Sequence, residues 1–227
     1  MKDWIKLKTG NFNLVLETCT DAAEHGLIYS IVGYSGAGKT TALQHVEKEI
    51  KGAFQLRLDK TFRAIDMYVT MLRLVKVSDY GYDLPIRFLA DRFSKEIKKR
   101  SYQTLMIIDD AGRFTADHMQ HFQAIYDSCD RKLGMILSGT EQFEKEFKRW
   151  VIRNVKGIPE LDSRIMDWVN LSRPTSHEIE SIAQANGVGD KMEIERLRKV
   201  CTTFRLLYHE ILKTRIKNNK KNKNNGN

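Results

Sequence analysis

The octapeptide Gly33-Tyr34-Ser35-Gly36-Ala37-Gly38-Lys39-Thr40 decides the fold that this sequence predicts. It matches the pattern G-x-x-x-x-G-K-[ST] at every fixed position, with an apolar run before it at residues 27–32 and a helical pattern after it at residues 39–51. In this context the glycines allow a tight turn, and main-chain N–H groups and the helix N-terminus face an anion. The segment therefore predicts a phosphate-binding loop (P-loop) between a buried strand and a helix.

Backbone and side-chain groups of this loop have different predicted roles. Lys39 is expected to reach the β- and γ-phosphates of a nucleoside triphosphate, and the Thr40 hydroxyl is expected to coordinate Mg²⁺. The candidate phosphate-binding residues are Gly33, Tyr34, Ser35, Gly36, Ala37, Gly38, Lys39, Thr40 and Thr41. The predicted ligands are ATP and Mg²⁺.

A second motif follows the loop by about 65 residues. Four apolar residues at positions 105–108 lead directly into Asp109 and Asp110. Asp109 is expected to hold Mg²⁺ together with Thr40. Asp110 occupies the position at which a hydrolytic ATPase orients and polarises the attacking water, so it is the candidate catalytic carboxylate. Lys39 and Arg164 are the other candidate catalytic residues.

Four further residues are candidates for sensing the terminal phosphate. Ser138 or Thr140, at the end of the next apolar strand, can present a hydroxyl between the central strands, the alternative being ordinary turn chemistry. Arg164 can reach the γ-phosphate of a neighbouring subunit, the alternative being a surface ion pair. Arg205 can approach from a C-terminal helix, the alternative being a helix-surface arginine.

The rest of the chain alternates between helical and strand patterns. Short apolar runs separated by helices predict an α/β fold with a parallel sheet flanked by helices, and such sheets bind ligands at the carboxyl ends of their strands. After Pro174 the pattern becomes helical, beginning with a capping box at residues 175–178. The predicted divisions are a nucleotide-binding α/β domain at residues 1–172, a small helical lid domain at 173–215 and a disordered basic tail at 216–227.

Net charge, cysteine spacing and hydropathy limit the kinds of partner and cellular location expected for the protein. The chain of 227 residues carries a formal net charge of +9, part of it in the lysine-rich tail, which favours a polyanionic partner but also fits a soluble basic protein. Three widely spaced cysteines are expected to be reduced thiols in or near the core. Neither a membrane-spanning run nor a secretory signal pattern is found in the sequence, so we expect a cytoplasmic protein that does not enter a membrane.

In this order, the motifs resemble those of an AAA+ ATPase over about residues 12–213. The resemblance implies a P-loop NTPase fold with a helical lid and magnesium-dependent ATP hydrolysis. It also implies the roles of sensor 1 for residues 138–140, arginine finger for Arg164 and sensor 2 for Arg205. Asp110 departs from the usual glutamate by one methylene, which bears on the rate of hydrolysis.

Several segments further resemble the transposition ATPases of the Mu B, TnsC and TniB kind. These are Asp-Asp-Ala-Gly-Arg at 109–113, Ile-Leu-Ser-Gly-Thr-Glu at 136–141 and Ile-Pro-Glu-Leu-Asp-Ser-Arg-Ile at 158–165. The resemblance implies an ATP-dependent regulator of DNA transposition that assembles as a ring or helical filament on duplex DNA and recruits a transposase.

A protein of this kind contacts DNA phosphates with little base preference. The sequence begins almost at the ATPase core, without the helix-turn-helix domain of Mu B, so we expect these contacts from the ATPase body and tail. The candidate DNA-binding residues are Lys60, Thr61, Arg63 and Arg73, although a solvated basic face explains them as well. The alternatives are a secretion-regulator ATPase (ExeA-like), a replication initiator or loader, and a nucleotide-locked scaffold with little turnover.

Overall fold

The computed structural model of the chain describes residues 4–57, 62–78 and 81–224, with side chains through residue 218. Its described strands form one sheet in the order β2-β3-β4-β1-β5, and every neighbouring pair is parallel. The strands are β1 (Ile28–Val32), β2 (Ala53–Leu56), β3 (Thr104–Ile108), β4 (Leu133–Gly139) and β5 (Ile165–Asn170). The predicted α/β fold is confirmed.

The burial of β3, β4 and β5 depends on their position in the sheet. The central strands β3 and β4 are buried at every residue, as expected when helices cover both faces of a parallel sheet. The edge strand β5 is only partly buried and carries Met166 and Asp167 in exposed positions. Hydrophobicity alone therefore marks the centre of the sheet more clearly than its edge.

Helices connect the strands. They are α1 (Gly10–His25), α2 (Lys39–Glu49), α3 (Ala64–Leu74), α4 (Ile86–Lys99), α5 (Ala116–Ser128), α6 (Glu141–Ile152), α7 (Ile158–Asp162), α8 (Ser176–Ala185), α9 (Lys191–Val200) and α10 (Phe204–Asn224), with a 3₁₀ turn at Ala111–Arg113. The short helix α7 has no counterpart in the predicted pattern, because five residues are too few to show helical periodicity.

The described chain divides into two compact units. The larger unit comprises Leu14–Gly33 and Lys39–Asn170 and contains the whole sheet. Its core brings strand residues together with aromatic side chains from the helices, and Phe93, Phe122 and Phe147 are fully buried there. Burying a side chain of this size contributes on the order of 1.5–3 kcal/mol, so the unit has an ample apolar core.

The smaller unit comprises residues 4–13, Tyr34–Gly38 and the chain from Leu171 onward. Helices α8, α9 and α10 enclose a second core that includes Ile179, Leu197 and Ile211. The predicted capping box begins α8: Thr175 Oγ1 accepts from the Glu178 backbone N–H at 3.2 Å, and Glu178 accepts from Thr175 N–H at 2.8 Å. The domain limits at 172/173 and 215/216 remain predictions.

The C-terminal segment differs from its prediction. We predicted disorder from residue 216, whereas α10 continues as one helix to Asn224, and residues 225–227 lie outside the described chain. Neither glycine nor proline interrupts residues 204–224. Once a helix is nucleated by a packed segment, each further residue adds a backbone hydrogen bond, so a polar extension can remain helical.

Candidate nucleotide-binding site

Lys39 lies beyond the carboxyl end of strand β1, which pairs with β4 and β5. The chain leaves β1 at Gly33, whose backbone N–H donates to Gly139 O at 3.2 Å, and Lys39 begins α2 six residues later. The Lys39 side chain folds back so that Nζ donates to Gly33 O at 2.6 Å, and only 8% of the residue is exposed. Because a phosphate is a stronger acceptor than a carbonyl, a nucleotide at this position would compete for the ammonium group.

Asp109 is the centre of a polar cluster at the same edge of the sheet. It follows β3, and its carboxylate accepts from Thr40 Oγ1 at 2.7 Å and from Ser138 Oγ at 3.2 Å. Gln55, on β2, donates from Nε2 at 3.4 Å. Parallel strands bring these residues together because all their carboxyl ends lie at one edge.

The donor set at Asp109 is suitable for magnesium. A carboxylate and a hydroxyl within 2.7 Å of each other are hard oxygen ligands, and Mg²⁺ typically takes one or two protein oxygens together with phosphates and water. Among residues 4–57, 62–78 and 81–224 there is no cluster of three or more His, Cys, Asp or Glu side chains with the geometry of a metal site.

The two sensor-1 candidates occupy different positions. Ser138 lies within β4, is fully buried and faces Asp109. Thr140 lies just after the strand, where it is exposed and precedes the first residue of α6. Strand register, which residue types alone do not reveal, places the Ser138 hydroxyl in the polar cluster.

Asp110 has an unusual backbone and a specific partner. Its φ is 55° and its ψ is 44°, a left-handed conformation that aspartate tolerates better than most residues. Its carboxylate pairs with Arg113 at 2.8 Å, and both side chains are about half exposed, at 52% and 45%. Arg113 was not predicted as a site residue, although it lies three residues after Asp110 in the quoted Asp-Asp-Ala-Gly-Arg segment.

Gln55 is a second residue that the sequence did not identify. It is 4% exposed, and its side-chain oxygen accepts from Arg57 Nη2 at 2.6 Å. Arg57 in turn pairs with Glu47 at 3.1 Å. The one available signal was a glutamine at a buried position of β2, where a strand against helices would ordinarily be apolar.

The loop segment Tyr34–Gly38 is described with the smaller unit. There Arg205 Nη1 donates to Ser35 Oγ at 3.0 Å, and Gly36 has a φ of +90°. A Cβ added to Gly36 would lie 2.8 Å from Arg205 Cβ, so both backbone angle and space require glycine. The predicted sensor-2 arginine therefore contacts the P-loop.

Tyr34 of the same segment is held by its hydroxyl and its ring. Tyr34 Oη donates to Ser172 O at 3.1 Å, and the Arg173 guanidinium lies 5.2 Å from the ring centroid. Burial raises the pKa of Tyr34 to about 12, so the phenol stays protonated and keeps its donor.

Arg164 is paired within its own chain. Its Nε donates to Asp127 Oδ1 on α5, and its Nη1 donates to Glu160 O on α7, both at 2.5 Å. These contacts hold the guanidinium beside α5 and α7. About 32% of the side chain is exposed.

The DNA-binding candidates are only partly described. Arg63 precedes α3, is 73% exposed and pairs with Asp66 at 3.3 Å. Arg73 lies in the last turn of α3. Lys60 and Thr61 lie outside the described residues, so their predicted contacts are not placed.

Thiol chemistry is disfavoured. Cys19, Cys129 and Cys201 are free and buried, as predicted, and burial raises their pKa values to about 12, 11 and 11. A thiolate is the reactive form of cysteine, so these residues are poor nucleophiles at neutral pH.

In the described chain, every helix is too short or too polar to span a bilayer.

The sequence is similar to a known protein family. A family model described as "AAA domain" matches residues 22–147, which is more than half of the chain. No curated protein matches the sequence.

Three solved structures illustrate the similarity of fold. The Aeropyrum pernix ORC2 protein, with ADPNP and ADP, has a TM-score of 0.59 at 15% identity, covering 80% of this chain and 51% of its own. The Aeropyrum pernix ORC1 protein in complex with DNA has a TM-score of 0.61 at 12% identity, covering 91% and 58%. The replication initiator DnaA, bound to AMPPCP and single-stranded DNA, has a TM-score of 0.57 at 14% identity, covering 95% and 63%. The chain thus spans between about half and two thirds of these proteins, and the similarity establishes fold alone.

Proposed function

This chain belongs to the AAA domain family, and on that basis we propose that it is a magnesium-dependent ATPase whose nucleotide state controls its binding to DNA. The observation that carries the proposal is the cluster of Thr40, Asp109 and Ser138 at the same edge of the sheet as the buried Lys39 ammonium. Nucleotide hydrolysis is general in this family.

Each residue of the site has a separate proposed role in ATP binding and hydrolysis. Thr40 and Asp109 would hold Mg²⁺, which when bound neutralises charge on the phosphates. Lys39 binds the β- and γ-phosphates, and Asp110 accepts a hydrogen bond from the attacking water and orients it toward the γ-phosphorus. The Ser138 hydroxyl, which donates to Asp109, would exchange this carboxylate for a phosphate oxygen or that water. Ser35 and Arg205 connect the loop to the C-terminal helices.

The first experiment measures ATP binding and turnover with Mg²⁺ for the wild-type protein and for Lys39→Ala. We expect saturable binding by the wild type and loss of both binding and turnover in the variant. Exposed Lys145, on α6, supplies a matched Lys→Ala control that should behave as wild type. A wild-type protein without affinity for adenine nucleotides would contradict the proposal.

DNA is the proposed polyanionic partner. The ORC1 and DnaA structures contain DNA, and the present chain carries a net charge of +9. The proposed contacts are to phosphates, through Lys60, Thr61, Arg63 and Arg73, and therefore independent of base sequence. ATP-dependent retention on a DNA column at moderate salt tests this step, and Lys39→Ala should abolish the retention.

Two biological roles fit such an activity. The solved structures of similar fold favour a replication initiator or loader. The segments at 136–141 and 158–165 favour the second candidate, a transposition regulator of the Mu B, TnsC and TniB kind that self-associates on duplex DNA and recruits a transposase. Preferential ATP-dependent binding to single-stranded DNA would support the initiator role. Filaments on duplex DNA with an ATP analogue, seen by electron microscopy, would support the transposition role.

A further inference from the structure

Asn11 is a buried polar residue that no motif of the sequence explains. It lies in the first turn of α1 and is only 5% exposed. Its amide Nδ2 donates to Ser172 O at 2.7 Å and to Ala37 O at 3.4 Å. Its Oδ1 accepts from Ser172 N at 3.0 Å and from Ser172 Oγ at 3.3 Å. Both donors and both acceptor sites of the amide are therefore used.

The partners of Asn11 belong to two functionally distinct segments. Ala37 lies in the P-loop, two residues before Lys39, and is 2% exposed. Ser172 begins the connection to α8, and its carbonyl also accepts from Tyr34 Oη at 3.1 Å. Asn11 and Tyr34 thus attach the middle of the P-loop to the backbone of Ser172 through one shared carbonyl.

These contacts restrain the backbone whose N–H groups are to face the phosphates. A P-loop binds an anion well only if its amides are already oriented, because ordering them on binding costs affinity. We propose that Asn11 is a positioning residue for nucleotide binding, which holds the P-loop in its binding conformation through Ala37 and Ser172. The inference rests on the proposed function.

The chain contains a matched control for a purely structural role. Asn186 is likewise buried, at 4% exposed, and belongs to the same unit. It pairs with both backbone groups of Ile5, accepting from N at 2.9 Å and donating to O at 3.0 Å, and it donates to Ile182 O at 2.9 Å. None of these partners lies in the P-loop, so Asn186→Ala removes a similar set of hydrogen bonds away from the nucleotide.

The test compares wild type, Asn11→Ala and Asn186→Ala by titration with a fluorescent ATP analogue and Mg²⁺, and by thermal unfolding. Alanine is uncharged, so it does not repel phosphate, and it favours helix at position 11. We expect both variants to lower Tm to a similar extent. Only Asn11→Ala should raise the Kd, by about tenfold, because buried carbonyl and N–H groups lose their partner at the loop.

Three outcomes would overturn the inference. One is an Asn11→Ala variant that binds within about twofold of wild type, and another is an equal loss of affinity in Asn186→Ala. Tyr34→Phe, which removes the hydroxyl and its bond to Ser172 O, provides a test that does not depend on folding of Asn11→Ala. It should raise the Kd about two- to fivefold, and an unchanged Kd would also overturn the inference. Absence of binding by wild type would contradict the proposed function, whereas normal wild-type binding without a selective effect of Asn11→Ala would contradict only the present inference.

Discussion

Asp109 is the residue at which most of the candidate site converges. Its carboxylate receives donors from α2, β4 and β2, through Thr40, Ser138 and Gln55. A carboxylate held from three directions keeps one orientation, which lowers the cost of arranging a metal ligand. The neighbouring Asp110 is held differently, by one arginine three residues away. These contacts are consistent with the proposed roles of Asp109 as a metal ligand and of Asp110 as the residue that orients water.

Replacing Asp110 by asparagine tests the catalytic assignment. Asp110→Asn keeps the size of the side chain but removes the negative oxygen that polarises water, so kcat should fall by about 10²-fold or more. The Kd for ATP should change little, because Asp110 is not a proposed phosphate or metal ligand. Steady-state turnover and nucleotide titration measure the two effects. An unchanged kcat would exclude Asp110 as the water-orienting residue.

Replacing Arg113 tests whether the ion pair restrains Asp110. Arg113→Ala releases the carboxylate, and exposed pairs of this kind contribute about 0.2–1 kcal/mol, so kcat should rise by up to about fivefold at unchanged KM. Arg149→Ala, at an exposed arginine of α6, is the matched control and should leave kcat unaltered. A fall in kcat for Arg113→Ala would mean instead that the arginine holds Asp110 in its active position.

At the scale of elements, a network of ion pairs joins α9 and α10. Arg196 donates to Glu193 on its own helix and to Glu210 on α10, each at 2.8 Å. The pKa of Glu193 is lowered from 4.5, first by Arg196, and the pKa of Glu210 is lowered by Lys213 and then by Arg196. The charged carboxylates therefore favour the folded helices.

Acidification should weaken this helical unit. A carboxyl group with a lowered folded pKa stabilises the folded state fully above its unfolded value of 4.5, and this contribution is lost as pH falls through the folded pKa. The free energy of unfolding should thus decline below about pH 4.5, as followed by urea denaturation with circular dichroism. Arg196→Met should give a shallower decline, and an equally steep one would assign the acid sensitivity to other groups.

At the scale of the whole molecule, the arginine-finger hypothesis requires Arg164 to reach a neighbouring subunit in an oligomer. The structure pairs it with Asp127 in its own chain, so a loss of assembly in Arg164→Ala has two possible causes. Asp127→Asn separates them, because it weakens the internal pair but keeps the arginine.

We expect Arg164→Ala to keep the monomer's affinity for ATP within about twofold and to lose ATP-dependent oligomers, together with at least about tenfold in turnover. Asp127→Asn should assemble like wild type. Light scattering with and without ATP measures both variants. Equal loss of assembly in the two variants would show that the internal ion pair, and not an intersubunit contact, supports the oligomer.

Residue patterns by themselves determined the P-loop, the paired aspartates, most helices and strands and the α/β class, because each depends on local spacing and periodicity. Tertiary structure alone decided which distant side chains meet. It placed Ser138 and not Thr140 beside Asp109, brought buried Gln55 into the same cluster, paired Arg164 with Asp127 and gave Asn11 its link to the P-loop. The continuation of α10 through the lysine-rich segment also differed from the disorder that its composition predicted. The physical reason is range: periodicity reports how a residue relates to its neighbours along the chain. Strand order, register and helix packing set contacts between residues that are far apart in it.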